Sequence, residues 1–256
     1  MRRRVLTAIL LVLVASASSR RLGAQENRTG SRSEILKQLQ APEAAQRRDA
    51  VLLLSTFDDI ALFPVLQKAA SDPDAGVRAM AIAALGRLIR TDEASEAPDL
   101  IPTLLRALND PHPLVRRAAA GALGGTRDPR AEKALEKAAR DRDAAVRAAA
   151  VDALGEQGSG TVLAPLLERL HDQDPFVRRQ AARALGHLRA PKATASLIER
   201  TIREKDPEVK RAIAWALGEI GDPQAMETLR SLTRSPDPYL SAMAHEALKK
   251  MRVRAR

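Results

Sequence analysis

The stretch DPHPLVRRAAAGALG, at residues 110–124, is one copy of a motif that recurs along the chain. It begins with an acidic residue, carries an arginine six residues later and ends in Ala-Leu-Gly. Other copies, strong or weak, are DPDAGVRAMAIAALG at 72–86, DRDAAVRAAAVDALG at 141–155, DQDPFVRRQAARALG at 172–186, EKDPEVKRAIAWALG at 204–218, APEAAQRRDAVLLLS at 41–55 and SPDPYLSAMAHEALK at 235–249. The repeated basic position recurs at spacings of 31, 38, 31, 31, 32 and 31 residues, so the chain is a repeat array.

Each period also contains a second apolar stretch with Leu and Ile at helical spacing, so one repeat is two helices. Helix starts are indicated by an Asp that caps the helix and a Pro in its first turn: Asp128 with Pro129, Asp174 with Pro175, Asp206 with Pro207, and Asp222 with Pro223. The glycines near the ends of the second helices predict a left-handed backbone that closes the last turn: Gly86, Gly124, Gly155, Gly186 and Gly218.

The composition explains how such helices pack. Only five residues are aromatic, yet 45% of the chain is hydrophobic, and in the repeats that fraction is mostly Ala, Leu, Val and Ile. A single helix pair cannot bury both of its apolar faces, but stacked pairs share one continuous core. Alanine-rich second helices permit close approach, with a recurring leucine in the core: Leu85, Leu123, Leu154, Leu185 and Leu217.

This unit resembles the HEAT repeats of the phycobilisome lyase type, and the resemblance covers residues 33–251. It implies an all-α fold, a right-handed superhelix of about seven helix pairs. In that family the turn acid and the basic residue six positions later form a structural ladder, which maps onto Asp72 with Arg78, Asp110 with Arg116, Asp141 with Arg147, Asp172 with Arg178, and Glu204 with Lys210. The first and last copies lack this combination, which predicts end caps.

The resemblance also implies that the second helices line a concave surface. Positions one, five and nine after the ladder base share a helix face and should point into it. We expect a partner-binding surface that includes Arg117, Arg179, Arg183, His187, Arg211, Trp215 and Glu219. Arg179, Arg183, Arg211 and Trp215 form its predicted centre, because Arg and Trp are enriched in interface hot spots. The alternative is that Trp215 simply packs against its neighbour.

The same broad family contains enzymes, the bilin lyases and the iron-dependent deoxyhypusine hydroxylase. The hydroxylase resemblance would require several His-Glu pairs, whereas this chain has one, His245 with Glu246. We expect His245 to be partly buried rather than a metal ligand, and we expect no cofactor. No cysteine is present, so thiolate zinc sites and cysteine nucleophiles are excluded. An enzyme or enzyme subunit, and a nucleic-acid-binding solenoid, remain the alternatives.

The first residues resemble a secretory signal. Three arginines, residues 2–4, precede an apolar run from Val5 to Ala17 that is shorter than the roughly twenty residues that span a bilayer, so a permanent membrane helix is the weaker reading. We expect a signal peptide within residues 1–24, cleaved after Ala17 or Ala24, and a periplasmic or extracellular mature protein without a stable membrane span. Cleavage after Ala17 removes three arginines and leaves +7 of the formal charge of +10.

The domain prediction is therefore a signal and flexible start at 1–24, a linker at 25–32, a solenoid at 33–251 and a basic tail at 252–256. The longest spacing contains a polar insertion from Arg90 to Pro98, which is either a tolerated surface loop or a partner contact. The predicted function is a non-enzymatic scaffold for a protein or peptide, with acidic partners among the candidates that the positive charge favours. Nucleic acid is the weaker candidate because an exported protein rarely meets it.

Overall fold

The computed structural model describes residues 32–57, 59–88, 99–126, 128–158 and 162–254. In these ranges the chain is all-α, with fourteen α-helices and no strand. It forms two compact units, one up to Phe57 and one from Asp58 onwards. The predicted signal peptide, most of the linker and the insertion from Arg90 to Pro98 lie outside the described residues.

The helices alternate as the first and second members of seven pairs. The first unit holds α1 (32–38) and α2 (Ala44–Leu54). The second unit holds six pairs: α3 (Phe63–Ala69) and α4 (Ala75–Leu88), α5 (Ile101–Ala107) and α6 (Pro113–Gly124), α7 (Pro129–Ala138) and α8 (Ala144–Gln157), α9 (Leu163–Arg169) and α10 (Pro175–His187), α11 (Thr194–Arg203) and α12 (Pro207–Ile220), and α13 (Met226–Leu232) and α14 (Pro238–Arg254). Short 3₁₀ turns at Ile60–Leu62, Pro191–Ala193 and Pro223–Ala225 precede α3, α11 and α13.

The predicted helix starts are confirmed. The side chains of Asp128, Asp174 and Asp206 accept main-chain N–H bonds at the starts of α7, α10 and α12, and a proline follows each of them. Asp222 caps the 3₁₀ turn before α13 in the same way. At the other end of the chain, α14 continues to Arg254 and so includes the first residues of the predicted basic tail.

In the second unit the second helices form one layer, in which α4, α6, α8, α10, α12 and α14 pack on one another in chain order. We call the exposed side of this layer the second-helix surface. The recurring leucines of α4, α6, α8, α10 and α12 are completely buried beneath it. Each first helix packs against the second helix of its own pair. Repeating one helix pair therefore generates a continuous core.

The glycines at the ends of the motif have a different role from the predicted one. Gly86, Gly124 and Gly186 lie within their helices, and positive φ is found instead at Gly158 and Gly221, with φ of 70° and 76°. A Cβ on Gly86 would lie 2.5 Å from the Cβ of Ala122 in α6. These glycines are required because neighbouring second helices approach too closely to accommodate a side chain.

The repeated basic residues connect neighbouring repeats. Nε and Nη2 of Arg78 donate to the two carboxylate oxygens of Asp110 in the next repeat, at 2.8 and 2.9 Å. Nη1 of Arg78 donates to the main-chain carbonyl of Asp72 in its own repeat. The same bidentate pairing joins Arg116 with Asp141, Arg147 with Asp172, and Arg178 with Glu204. Each of these arginines therefore pairs with the acid of the following repeat, and not with the acid of its own repeat as the resemblance implied.

These acids stay ionised in a buried setting. Burial alone raises the pKa of Glu204, but hydrogen bonds from Arg178, from the main-chain N–H of Asp206 and from Arg200 lower it to about 2. The same balance lowers the pKa of the acids in the three preceding pairs: Asp110, Asp141 and Asp172. The ladder is consequently a set of charged pairs at neutral pH.

The contact between the last two repeats is built differently. Ser235 replaces the turn acid, and Lys210 replaces the arginine that would reach it. The neighbouring Arg211 instead forms a bidentate pair with Asp237, with Nε and Nη2 at 3.0 and 3.1 Å from its carboxylate oxygens. A residue that the sequence assigns to the binding surface therefore completes the framework at this interface.

The outer face of α14 is polar where the other second helices are apolar. Lys249 occupies the position of the motif glycine, and His245 the position of Ile82 and Val151. His245 is exposed, with Nδ1 at 2.9 Å from the carbonyl oxygen of Ser241, so the expectation of a partly buried His245 is wrong. Exposed polar groups on this face fit the end of a stack.

Candidate protein interface

Each second helix presents a column of three side chains at the predicted positions on the second-helix surface. In the second unit all of these positions are at least partly exposed except Ala148, which is buried. The columns differ in charge from one helix to the next. The column of α8 carries Asp152 and Glu156, whereas α10 carries Arg179, Arg183 and His187.

The column of α10 contains two arginines without an anionic partner. Within the described ranges, no residue accepts a hydrogen bond from Arg183, which is exposed. The guanidinium of Arg179 lies over the ring of Phe176, with 4.9 Å between Cζ and the ring centroid. Its Nε is buried without a hydrogen-bond partner. Arg178, the residue before Arg179, pairs with the carboxylate of Glu204. Arg179 differs because it lies on another face of the helix, and not because acidic residues are scarce.

Arg211 is close to these arginines, but its charge is already balanced. It pairs with Asp237 and with Glu208 and lies over the ring of Tyr239, 4.9 Å from the centroid. Burial raises the pKa of Asp237, but main-chain N–H groups, that of Leu240 first, and Arg211 together lower it. Arg211 therefore contributes shape to this region more than it contributes free positive charge.

Trp215 lies between the columns of α10 and α12. Its ring meets the ring of His187 edge-on, with centroids 4.8 Å apart and planes at 62°. A Cβ on Gly186 would lie 2.6 Å from Cζ3 of Trp215, so the indole packs directly on the backbone of α10. The residue as a whole is partly exposed and lines a surface concavity. Trp215 therefore packs on its neighbour, as one of the two readings expected, and binding of a partner by Trp215 stays a prediction.

The four predicted central residues do lie together. Arg179, Arg183, Arg211 and Trp215 line one concavity of about 450 Å³, and Met243 of α14 completes its apolar wall. His187 adjoins it through Trp215. Glu219 lies in a neighbouring concavity with Arg189 and Lys250, whose Nζ is 2.6 Å from Glu219 Oε1. Arg117 is on α6, separated from α10 by α8, and does not line either concavity.

Sequence reasoning missed several contributors to this region. Met243 of α14 and Glu208 of α12 also line the concavity, and Arg189, just after α10, has φ of 47°. The partner of Arg179, Phe176, could have been found, because residues three apart on a helix share a face. The pairing of Arg211 with Asp237 had no comparable signal, because it depends on how α12 and α14 pack.

Among the residues that the structure describes, no three His, Asp or Glu side chains are grouped so that they could hold a metal ion. In the same ranges, no helix has both the length and the apolar character needed to cross a membrane. The lone His-Glu dipeptide, at 245 and 246, lies on the exposed side of α14.

The model of the family described as HEAT repeats matches the chain over residues 33–97, 94–145, 132–205 and 194–255. The chain belongs to the HEAT-repeat family. These four matches together cover the whole helical region, in agreement with the resemblance noted from the motif. Among curated proteins, no sequence matches significantly.

Solved structures show the same fold at low sequence identity. The CpcE–CpcF complex of phycocyanin lyase from Nostoc matches with a TM-score of 0.54 and 22% identity, covering 85% of this chain and 86% of that one. The YibA protein of E. coli matches with a TM-score of 0.58 and 18% identity, over 86% and 92%. Yeast importin-β matches with a TM-score of 0.60 and 15% identity, over 88% of this chain but only 36% of its own length.

Proposed function

We propose that this HEAT-repeat protein is a non-enzymatic scaffold that binds a protein or peptide on its second-helix surface, centred on α10, α12 and α14. One observation carries the proposal: Arg179 and Arg183 present guanidinium groups without an acceptor beside Trp215, which is partly buried and lines the same concavity. Arg and Trp are the residue types that most often dominate binding energy in interfaces. Among similar structures, one is the complex of CpcE with CpcF and another shows Kap95p bound to RanGDP.

The division between framework and surface supports this function. The framework residues satisfy one another, as in the pair of Arg147 with Asp172, whose side chains are 7% and 3% exposed. Arg179 and Arg183 in the α10 column do not form such ion pairs. A surface whose cations lack partners gains hydrogen bonds when a ligand brings carboxylates, and such charge-assisted bonds are the strong ones.

The test is capture of a partner by the tagged mature chain from its native envelope fraction. We expect Trp215→Ala and Arg183→Glu each to reduce the captured partner by at least tenfold, since central hot-spot residues contribute about 2 kcal/mol or more. Arg106→Glu is the matched control, because Arg106 is exposed on the first helix α5. Undiminished capture by both site variants would refute the proposal, and so would stoichiometric bound iron that supports an oxidation.

Export belongs to the same proposal. The arginines at residues 2–4 and the apolar run from Val5 to Ala17 support it, and they lie outside the described residues. We expect the mature protein in the periplasm or outside the cell, with a new N-terminus after Ala17 or Ala24. N-terminal sequencing of protein from fractionated cells checks this, and an unprocessed chain in the cytoplasm would contradict it.

A further inference from the structure

The charge pattern of the second-helix surface restricts what can bind there. The cationic column is one helix wide: Arg179, Arg183 and His187 follow one another on α10. On one side the column of α8 presents Asp152 and Glu156. Neighbouring helix axes lie about 10 Å apart, so a ligand much wider than one polypeptide strand meets these acids.

On the other side, beyond Trp215, the charges are already paired. Glu219, which ends the column of α12, is bound by Lys250 and lies 3.7 Å from Arg189. Arg211, the additional cation on this side, is held by Asp237 and Glu208. A duplex of nucleic acid or an anionic membrane would place negative charge against the acids of α8 and would find Arg211 already paired on the other side, whereas a single extended strand would contact the basic column alone.

The spacing along α10 matches an extended strand. Residues four apart on a helix are separated by about 6 Å along its axis. In an extended peptide, side chains two residues apart point to the same side and are separated by about 6.6 Å. Two acidic residues at alternate positions can therefore meet Arg179 and Arg183. The next side chain on that side falls at His187 and the exposed part of Trp215, where an apolar group fits.

Building on the proposed function, we propose that the partner presents an extended acidic segment in which two carboxylates at alternate positions bind Arg179 and Arg183 and an apolar side chain two residues further on packs against Trp215. The segment lies along α10, between the acidic column of α8 and the paired charges of α12. The hydrogen bonds run from the arginine N–H groups to the carboxylate oxygens, and no group on the protein has to change its protonation state.

Trp215 is the chain's single tryptophan, so its fluorescence reports directly on this site. The probe is an acetylated and amidated peptide, Gly-Glu-Ser-Glu-Ser-Leu-Gly, titrated into the full mature protein. One comparison peptide replaces both glutamates with glutamine, and a second keeps the composition but places the glutamates side by side. We expect the alternating peptide to bind at least about tenfold more tightly than the glutamine peptide, and more tightly than the adjacent-glutamate peptide.

Arg183→Gln should lower the affinity for the alternating peptide to that for the glutamine peptide, while Arg106→Gln should leave it unchanged. Circular dichroism of each variant verifies folding. Equal binding of the three peptides would overturn the inference, as would tighter binding of duplex DNA or anionic phospholipid vesicles with a steep salt dependence. If partner capture depends on Trp215 and Arg183 but the peptides do not discriminate, this inference fails and the proposed function stands. If capture depends on neither residue, the proposed function fails.

Discussion

Replacement of Gly86 by alanine tests how closely the second helices are packed. A Cβ at this position would lie 2.5 Å from the Cβ of Ala122 and 2.8 Å from its Cα. Because Cα belongs to the backbone of α6, no side-chain rotation relieves the contact, and α4 and α6 must separate. Overpacking of this kind costs about 1–3 kcal/mol, and the helix propensity of alanine over glycine returns about 1 kcal/mol.

We therefore expect Gly86→Ala to lower the free energy of unfolding by about 1–2 kcal/mol, in the upper part of the range because main chain has to move. Gly121→Ala in α6 is the matched control, because nothing lies within 4 Å of its Cβ position. It should raise the free energy of unfolding by about 1 kcal/mol through propensity alone.

Urea unfolding followed by circular dichroism measures both variants against the parent chain, and equal slopes with denaturant establish that the unfolding reaction is unchanged. The reasoning is refuted if Gly86→Ala is stabilised to the same extent as Gly121→Ala. That result would mean that α4 and α6 are not in direct backbone contact and that the motif glycine serves another purpose.

Three further predictions concern charge and backbone strain. The pKa of Glu204 is lowered to about 2 in the folded protein, so its pair with Arg178 should stabilise fully above the ordinary glutamate pKa of about 4.3 and lose this contribution as the pH falls from there towards 2. Thermal unfolding between pH 6 and 2.5 should therefore show a smaller acid-induced decrease in stability for Glu204→Gln than for the parent chain. Parallel decreases in the two proteins would count against the ladder. Arg189→Gly should raise the free energy of unfolding by about 1 kcal/mol, because a non-glycine residue at φ of 47° is strained; an unchanged urea midpoint would contradict this. Asp237→Asn keeps an acceptor at the start of α14 but removes one of the two carboxylates that hold Arg211, so it should strengthen binding of the alternating-glutamate peptide, and unchanged fluorescence titrations would show that the pair with Asp237 does not restrain Arg211.

Much of the framework could be predicted from the motif, because its features repeat and each repeat obeys the same local rules. Asp174 with Pro175 begins a helix wherever such a pair occurs, and Leu185 is buried because its position recurs on an apolar face. The motif glycines show the limit of this reasoning. A glycine near a helix end suggests a left-handed turn, whereas Gly86 stays helical and makes room for α6, a neighbour that local rules do not contain.

The candidate site was predicted in outline for the same reason. Helical periodicity alone places Arg179 and Arg183 on one exposed face. It does not show that their charges lack acceptors, nor that Arg211 is held by Asp237 from the next repeat. His245 was misjudged because its position is buried only where a further repeat covers it, and among the described residues no repeat packs on the outer face of α14.

By itself the sequence determined the helix pairs, their order and the positions of the surface columns, since these follow from periodicity, capping and turn chemistry within about thirty residues. Only the tertiary structure decided which charges neutralise each other, because each carboxylate of the ladder comes from the following repeat, as Asp110 does for Arg78. The same holds for the cations that remain available, since whether Arg183 has an acceptor depends on the side chains that adjacent helices bring within hydrogen-bond distance.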